Sequence, residues 1–386
     1  MKKIKQISSV LLIFLITIML FEPRVSLAAE KDNNRQKKNY LKAGLETLGL
    51  DLTFWTYDWH IRKFGWANIS TYSIINNIKQ GFEWDSNSFR ANICDHSSHG
   101  ALSFSAARAN GLTFWESTPF PFLGSLIWEV ALEANRPSIN DQIMSTFGGI
   151  TLGEVSFRIA DLAIDESSRG FERVGREILT FLINPILGFN RLIEGKSFRI
   201  SGESEKHYYD FRGGIGYSGH KPTAVINLEY KDAMEKEKIS PYDYFRFSLL
   251  AKINPGGLKF EKVLSNGMLF GKKIDFKSSG KGLFGVFSHF DYIFMSGNNI
   301  GGIGLGPGLV LDFNLGTNSS LNLSTGFSGI FGAASSSFIL KYGEEVFKRH
   351  GEHWQWGVGN NSYYFGPGIL YKLNLELKNQ SFGSIY

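Results

Sequence analysis

The stretch Ile369-Leu370-Tyr371-Lys372-Leu373-Asn374-Leu375-Glu376-Leu377-Lys378 decides how the second half of this chain folds. Ile369, Tyr371, Leu373, Leu375 and Leu377 fall on one face of an extended chain, and Lys372, Asn374, Glu376 and Lys378 on the other. A period of two is the mark of a strand with one apolar and one polar surface. The same alternation recurs upstream. In Ala224 to Lys231 the residues Ile226, Leu228 and Tyr230 oppose Asn227, Glu229 and Lys231. In Tyr244 to Ile253 the residues Phe245, Phe247, Leu249, Ala251 and Ile253 oppose Arg246, Ser248 and Lys252. Further strands are expected over 207–217, 257–271, 283–295, 300–313, 321–333 and 362–368, joined by turns such as Asn254-Pro255-Gly256-Gly257 and Ser296-Gly297-Asn298-Asn299.

Strands of this length with one apolar face, in an exported chain, are what a membrane barrel requires; lipid leaves no backbone group unpaired and so forces closure. A soluble periplasmic β-sandwich also alternates, but has no need of long aromatic faces with Tyr and Phe at the strand ends. Phe382 to Tyr386 reads as the start of another strand. The chain therefore either completes a barrel of about eight strands here or continues beyond it, and the second reading is favoured.

Composition agrees. Aromatic residues reach 15% and there are 43 glycines, which suits aromatic girdles and tight turns. Charged residues at 20% exclude both a disordered polyelectrolyte and a bundle of membrane helices. The net charge of +5 is mild, with no arginine-rich stripe, so nucleic acid is not an expected partner. The single cysteine, Cys94, reads as a small buried apolar residue rather than a nucleophile.

The N-terminus carries an export signal. Lys2, Lys3 and Lys5 precede an apolar core from Val10 to Phe21, and Ser26-Leu27-Ala28 offers small residues at −3 and −1. Residues 1–28 are read as a cleaved signal peptide and 29–38 as a polar linker. From 39 to 195 the apolar spacing is helical, beginning with Leu41, Leu45 and Leu48 and continuing less cleanly through Ile61, Phe64 and Ile69. Helices are expected at 98–110, 120–134, 139–163 and 171–183, broken by Pro119, Pro121, Pro137 and Pro185. None is long and apolar enough to lodge in the inner membrane during export. The fold class is thus α+β: a helical domain over 39–195, then an antiparallel transmembrane β-barrel over 196–386.

Chemistry concentrates in the helical part. The runs are Trp84-Asp85-Ser86-Asn87-Ser88-Phe89-Arg90-Ala91-Asn92, His96-Ser97-Ser98-His99-Gly100, Ala107-Arg108-Ala109-Asn110-Gly111, Gly124-Ser125-Leu126-Ile127-Trp128-Glu129 and Pro137-Ser138-Ile139-Asn140-Asp141, closed by Gly149, Gly153 and Glu154. In this order they resemble the bacterial proteins grouped as domain of unknown function 3943, over about residues 40–195. Asn87 stands where that family tends to Asp, and Ser97 where it tends to Pro. The resemblance implies an outer-membrane setting and no assigned reaction. Glu129, Arg136, Asp141, Gly149 and Gly153 are also loosely similar to the tail of VanZ-like membrane proteins.

Ser125, Glu129 and Glu133 at i, i+4 and i+8 share a helix face, and stacked carboxylates repel unless paired or bound to a cation. His96 and His99 lie about one turn apart, a spacing usable for a proton relay or a metal. The candidate catalytic residues are His96, Glu129 and Asp141; Arg108, Ser125 and Arg136 are the candidate substrate contacts, with Arg158 a further guanidinium. No cofactor or metal is assigned.

Each has a structural alternative. Ser138 to Asp141 is a capping box, Glu154 and Arg158 form an i, i+4 pair, and Ser145, Gly149 and Gly153 form a small-residue stripe for close helix approach. No Gly-x-Ser-x-Gly elbow, His-Glu-x-x-His helix, P-loop or cysteine cluster occurs. The expected setting is the outer membrane, with the helices on the periplasmic side or in the lumen. Expected partners are outer-membrane lipid and the barrel assembly machinery. The expected role is envelope lipid or cell-surface homeostasis, with an envelope lipid or glycan hydrolase as the alternative.

Overall fold

A computed structural model describes residues 37–84, 89–200, 206–218, 221–254, 257–295, 298–316, 318–337, 364–379 and 383–385. The signal peptide, all but the end of the linker, and Asn87 lie outside the described residues. The chain divides into a unit of Met1–Lys206 with Ala334–Phe365, here called the helical unit, and a unit of His207–Ala333 with Gly366–Tyr386, here called the sheet unit.

In the helical unit α1 spans Tyr40–Tyr57, α2 Thr71–Gln80, α3 His96–Ala109, α4 Phe114–Ser117, α5 Pro119–Ile127, α6 Ile139–Ile143, α7 Gly149–Ala163, α8 Gly170–Ile183 and α9 Pro185–Ile193. Local chemistry sets the starts. Asn39 accepts from the Lys42 amide at α1, Ser70 and Ser73 form a reciprocal capping box at α2, and Thr113 with Glu116 does the same at α4. Asn184 caps α9, whose first residue is Pro185. Among the described residues, four π-helical turns interrupt the run: Asp58–Arg62, Ala91–Asp95, Trp128–Leu132 and Met144–Gly148.

Helix α3 is central, packed by α1, α5, α7 and α9. Its crossing with α7 is as close as backbones allow. A Cβ on Gly100 would stand 1.8 Å from the Ser145 carbonyl oxygen, and one on Gly149 would stand 2.6 Å from the Gly100 carbonyl carbon. The small-residue stripe read in the sequence therefore marks a real contact line.

The unit buries several polar side chains beside its apolar core and leaves some large apolar ones exposed. Asp51, Asn92, Glu129, Asp141, Glu154 and Asn190 are buried, whereas Leu41 is 74% and Phe171 97% exposed. Leu45, Leu48 and Leu52 continue the exposed stripe on α1, and the face α1 buries is Ala43, Thr47 and Asp51.

The sheet unit has strands β1 Tyr209–Ser218, β2 Lys221–Tyr230, β3 Phe245–Asn254, β4 Gly257–Asp275, β5 Gly280–Met295, β6 Asn298–Asn314, β7 Ser319–Ser337, β8 Tyr364–Asn379 and β9 Gly383–Ile385. Neighbours in sequence are neighbours in the sheet throughout, and the eight long strands form an antiparallel half-barrel. The short β9 pairs antiparallel with Leu377 to Asn379. A short helix, α10 (Asp232–Glu235), lies between β2 and β3.

Side chains that span non-neighbouring strands identify the concave face. Arg246 on β3 donates to Asn322 and Ser324 on β7, and Arg212 on β1 pairs with Glu376 on β8 at 2.7 Å. Lys372 on β8 pairs with Asp291 on β5. One part of this face is therefore polar. In another part Ala233 and Met234 of α10 pack with Tyr244, Met268, Leu283, Phe287 and Val310.

On β8 the opposite, convex face carries Ile369, Tyr371, Leu373 and Leu375, all exposed, with Leu373 at 61%, while Glu376 on the concave face is buried. Ile215 and Tyr217 on β1 and Phe327 on β7 are exposed as well, whereas Ile226, Leu228 and Phe290 are buried.

Candidate functional site

The site is assembled by the irregular parts of the helical unit. The π turn Ala91–Asp95 leads directly into His96, the first residue of α3. Glu129 lies within the third π turn, Trp128–Leu132, and Asp141 lies in α6, just before the fourth, Met144–Gly148. An extra residue per turn rotates the side chains that follow, which is why π turns concentrate at functional sites.

His96 Nε2 lies 3.2 Å from Asp141 Oδ2. One ligand atom from each of His96, Glu129 and Asp141 lies within 4.8 Å of the others. Glu129 is 1% and Asp141 2% exposed, with His96 slightly more open. Hydrogen bonds from outside the trio orient both carboxylates. The Ser138 amide donates to Glu129 Oε2 at 2.9 Å, and Asn140 Nδ2 donates to Asp141 Oδ1 at 3.3 Å. The carbonyls around the π turn Trp128–Leu132 are met by buried Asn77, whose Nδ2 donates to Glu133 O at 2.9 Å and Val130 O at 3.3 Å.

Burial, and secondarily His99, push the His96 imidazole pKa down to about 3, which favours the neutral form. A neutral imidazole against a fixed carboxylate suits proton transfer, and its lone pair suits a metal.

Other candidates take other places. His99 pairs with Asp51 at 2.7 Å, between the rings of Phe54 and Trp128, and so forms a second His–carboxylate contact. Glu133 leaves the shared face: the helical run ends at Leu132, Glu133 is extended, and it accepts from Trp128 Nε1 at 3.0 Å. Arg108 is held by Glu154 at 2.8 Å, and Arg158 joins the same carboxylate at 2.8 Å, so two guanidiniums flank one buried glutamate. Arg136 donates to the carbonyls of Gln80 and Gly81 and to Glu83, closing the end of α2. Both proposed substrate arginines are thus engaged within the fold.

Ser125 lies about one turn before Glu129. It is buried, and its Oγ has no hydrogen-bond partner among the described residues. Ser138 caps α6 by accepting from the Asp141 amide at 3.2 Å, while the Asp141 carboxylate reaches His96. The capping and site readings of this segment therefore hold together.

Asp51 and Asn77 lie outside the motif runs of the sequence, and Asn140 stands inside the Ser138 to Asp141 capping segment. The nearest sequence clue to Asp51 is the spacing of Ala43, Thr47 and Asp51 opposite the α1 leucines.

Residues 81–186 match the family described as domain of unknown function (DUF3943), which contains all three members of the trio. Comparison with curated proteins gives no match, and neither does comparison with solved structures.

Proposed function

We propose that this chain is an exported outer-membrane β-barrel protein whose helical unit works at the lipid surface of the envelope, in lipid or cell-surface homeostasis. The observation that carries the reading is the polarity of β8. Its convex apolar residues are exposed, and its concave Lys372 and Glu376 pair across the sheet. Water would penalise that arrangement, while lipid outside and a polar lumen inside favour it. Strands β1 to β8 have 10 to 19 residues, and about 9–11 suffice to cross. The exposed leucines of α1 and Phe171 of α8 supply an apolar surface of the kind that settles at a lipid interface.

The test is expression of the full chain in a Gram-negative host. The reading expects the protein in the outer-membrane fraction, with heat-modifiable gel mobility and an intact mass beginning at Ala29. Recovery as a soluble periplasmic protein without heat-modifiability would overturn it.

A second reading, a hydrolase acting on envelope lipid or glycan, is favoured by the convergence of His96, Glu129 and Asp141. In that reading Glu129→Gln leaves membrane abundance near wild type and abolishes rescue of the deletion phenotype. A purely structural Glu129 would instead lose abundance, because a buried partner is left unmatched. Normal abundance with full rescue removes Glu129 from both roles.

A further inference from the structure

We infer that His96, Glu129 and Asp141 form a three-ligand site for one divalent first-row transition cation, of the kind Zn2+ represents. The inference deepens the hydrolase reading and rests on it for any catalytic use; cation binding itself stands on the geometry. Three donor groups converge: one imidazole nitrogen and two carboxylates, with their ligand atoms within 4.8 Å of each other. In a tetrahedral site with metal–ligand distances near 2.1 Å, neighbouring ligand atoms stand about 3.4 Å apart. His96 Nε2 and Asp141 Oδ2 already stand at 3.2 Å, so closing on a cation asks for a small inward movement of Glu129.

Charge argues in the same direction. Two carboxylates brought together at 1% and 2% exposure repel each other, and a dipositive ion offsets both. The outer hydrogen bonds also have the pattern that fixes metal-binding carboxylates. The Ser138 amide holds one Glu129 oxygen, and Asn140 holds the Asp141 oxygen directed away from His96.

Donor type narrows the ion. One nitrogen with carboxylate oxygens and no thiolate suits Zn2+ or Mn2+. Ca2+ takes six to eight oxygens, and Cu+ prefers sulfur. Three protein ligands leave a fourth position for water, the arrangement of hydrolytic rather than purely structural zinc sites.

The experiment uses the full chain, purified in detergent, stripped with chelator and dialysed against Zn2+ alone. The expected result is about one Zn2+ retained per chain. Co2+ in its place gives visible d–d absorption that Zn2+ displaces. Glu129→Gln and Asp141→Asn each weaken retention by more than about 100-fold, since loss of even the outer partners of metal ligands costs about 10–100-fold. His60→Ala, at an exposed histidine outside the trio, retains Zn2+ as wild type does. Helical circular dichroism and heat-modifiable mobility, read on the same samples, establish that the variants are folded.

Wild-type protein that retains no Zn2+ and gives no Co2+ spectrum overturns the inference. Equal retention by the folded Glu129→Gln and Asp141→Asn variants also overturns it. Failure of cation binding in a chain that still reaches the outer membrane sinks this site alone. A chain that binds Zn2+ but stays soluble sinks only the membrane reading.

Discussion

The close approach of Gly100 to the Ser145 backbone gives a sharp stability test. Gly100→Ala places a methyl group where the Ser145 carbonyl oxygen is 1.8 Å away and its carbon 2.7 Å away. Ordinary contact needs about 3.4 Å, so about 1.6 Å of separation must open between two backbones that have no rotamer to change. Overpacking of this kind costs about 1–3 kcal/mol, and a backbone-to-backbone clash belongs at the upper end or above. Alanine returns about 1 kcal/mol through its better helix propensity. The clash wins by about 2 kcal/mol or more, which for a domain of this size lowers the melting temperature by about 4–8 °C.

Gly49→Ala in α1 is the internal control, because nothing lies within 4 Å of its added methyl. Only the propensity gain remains there, and the melting temperature should rise by about 2–4 °C. Thermal unfolding of the full chain in detergent, followed at 222 nm, reads both. A Gly100→Ala variant as stable as wild type would refute the close-crossing argument.

Three further outcomes follow from particular residues. Leu373→Arg, if at mid-bilayer, should cost about 2–4 kcal/mol and reduce the heat-modifiable folded band, whereas Asn374→Arg, facing the polar side, should cost much less. For Glu177, burial pulls the carboxyl pKa up, but hydrogen bonding and charge from Arg191, then Ser197 and Arg173, outweigh it and hold it below its ordinary value of 4.5. Its stabilising contribution is therefore complete above about pH 4.5 and is lost as pH falls through the lower folded value; melting temperature should drop on acidification, and less so in Glu177→Gln. Burial, then Asp95, pushes the Cys94 thiol up to about 11; at pH 8 only about one molecule in 1,000 is thiolate, so iodoacetamide should label the folded chain far more slowly than the denatured one.

How far the sequence could be read depended on which physical signal each part carries. Strands were legible because a period of two survives whichever side is exposed: 369–378 falls within the observed Tyr364–Asn379, and 283–295 within Gly280–Met295. The α1 leucines gave the helix but not its direction, since periodicity says nothing about what lies outside; Leu41 is exposed and Asp51 buried. His96, Glu129 and Asp141 were each visible as chemistry and do meet. Glu133 was misplaced because helical spacing assumes the helix continues, and it ends at Leu132 through a π turn that has no local signature. The partners of His99 and Arg108 lie 48 and 46 residues away, beyond any short-range pattern.

The central claim, that lipid lies against the convex face of β8, is tested most directly by a label scan along that strand. In a Cys94→Ser background, single cysteines at 371, 372, 373, 374 and 375 are given an environment-sensitive fluorophore, and the chain is folded into vesicles containing spin-labelled lipid. The account predicts a period of two: quenching by the lipid at 371, 373 and 375, with quenching by an aqueous reagent at 372 and 374. Equal access of the aqueous reagent to all five positions would contradict it.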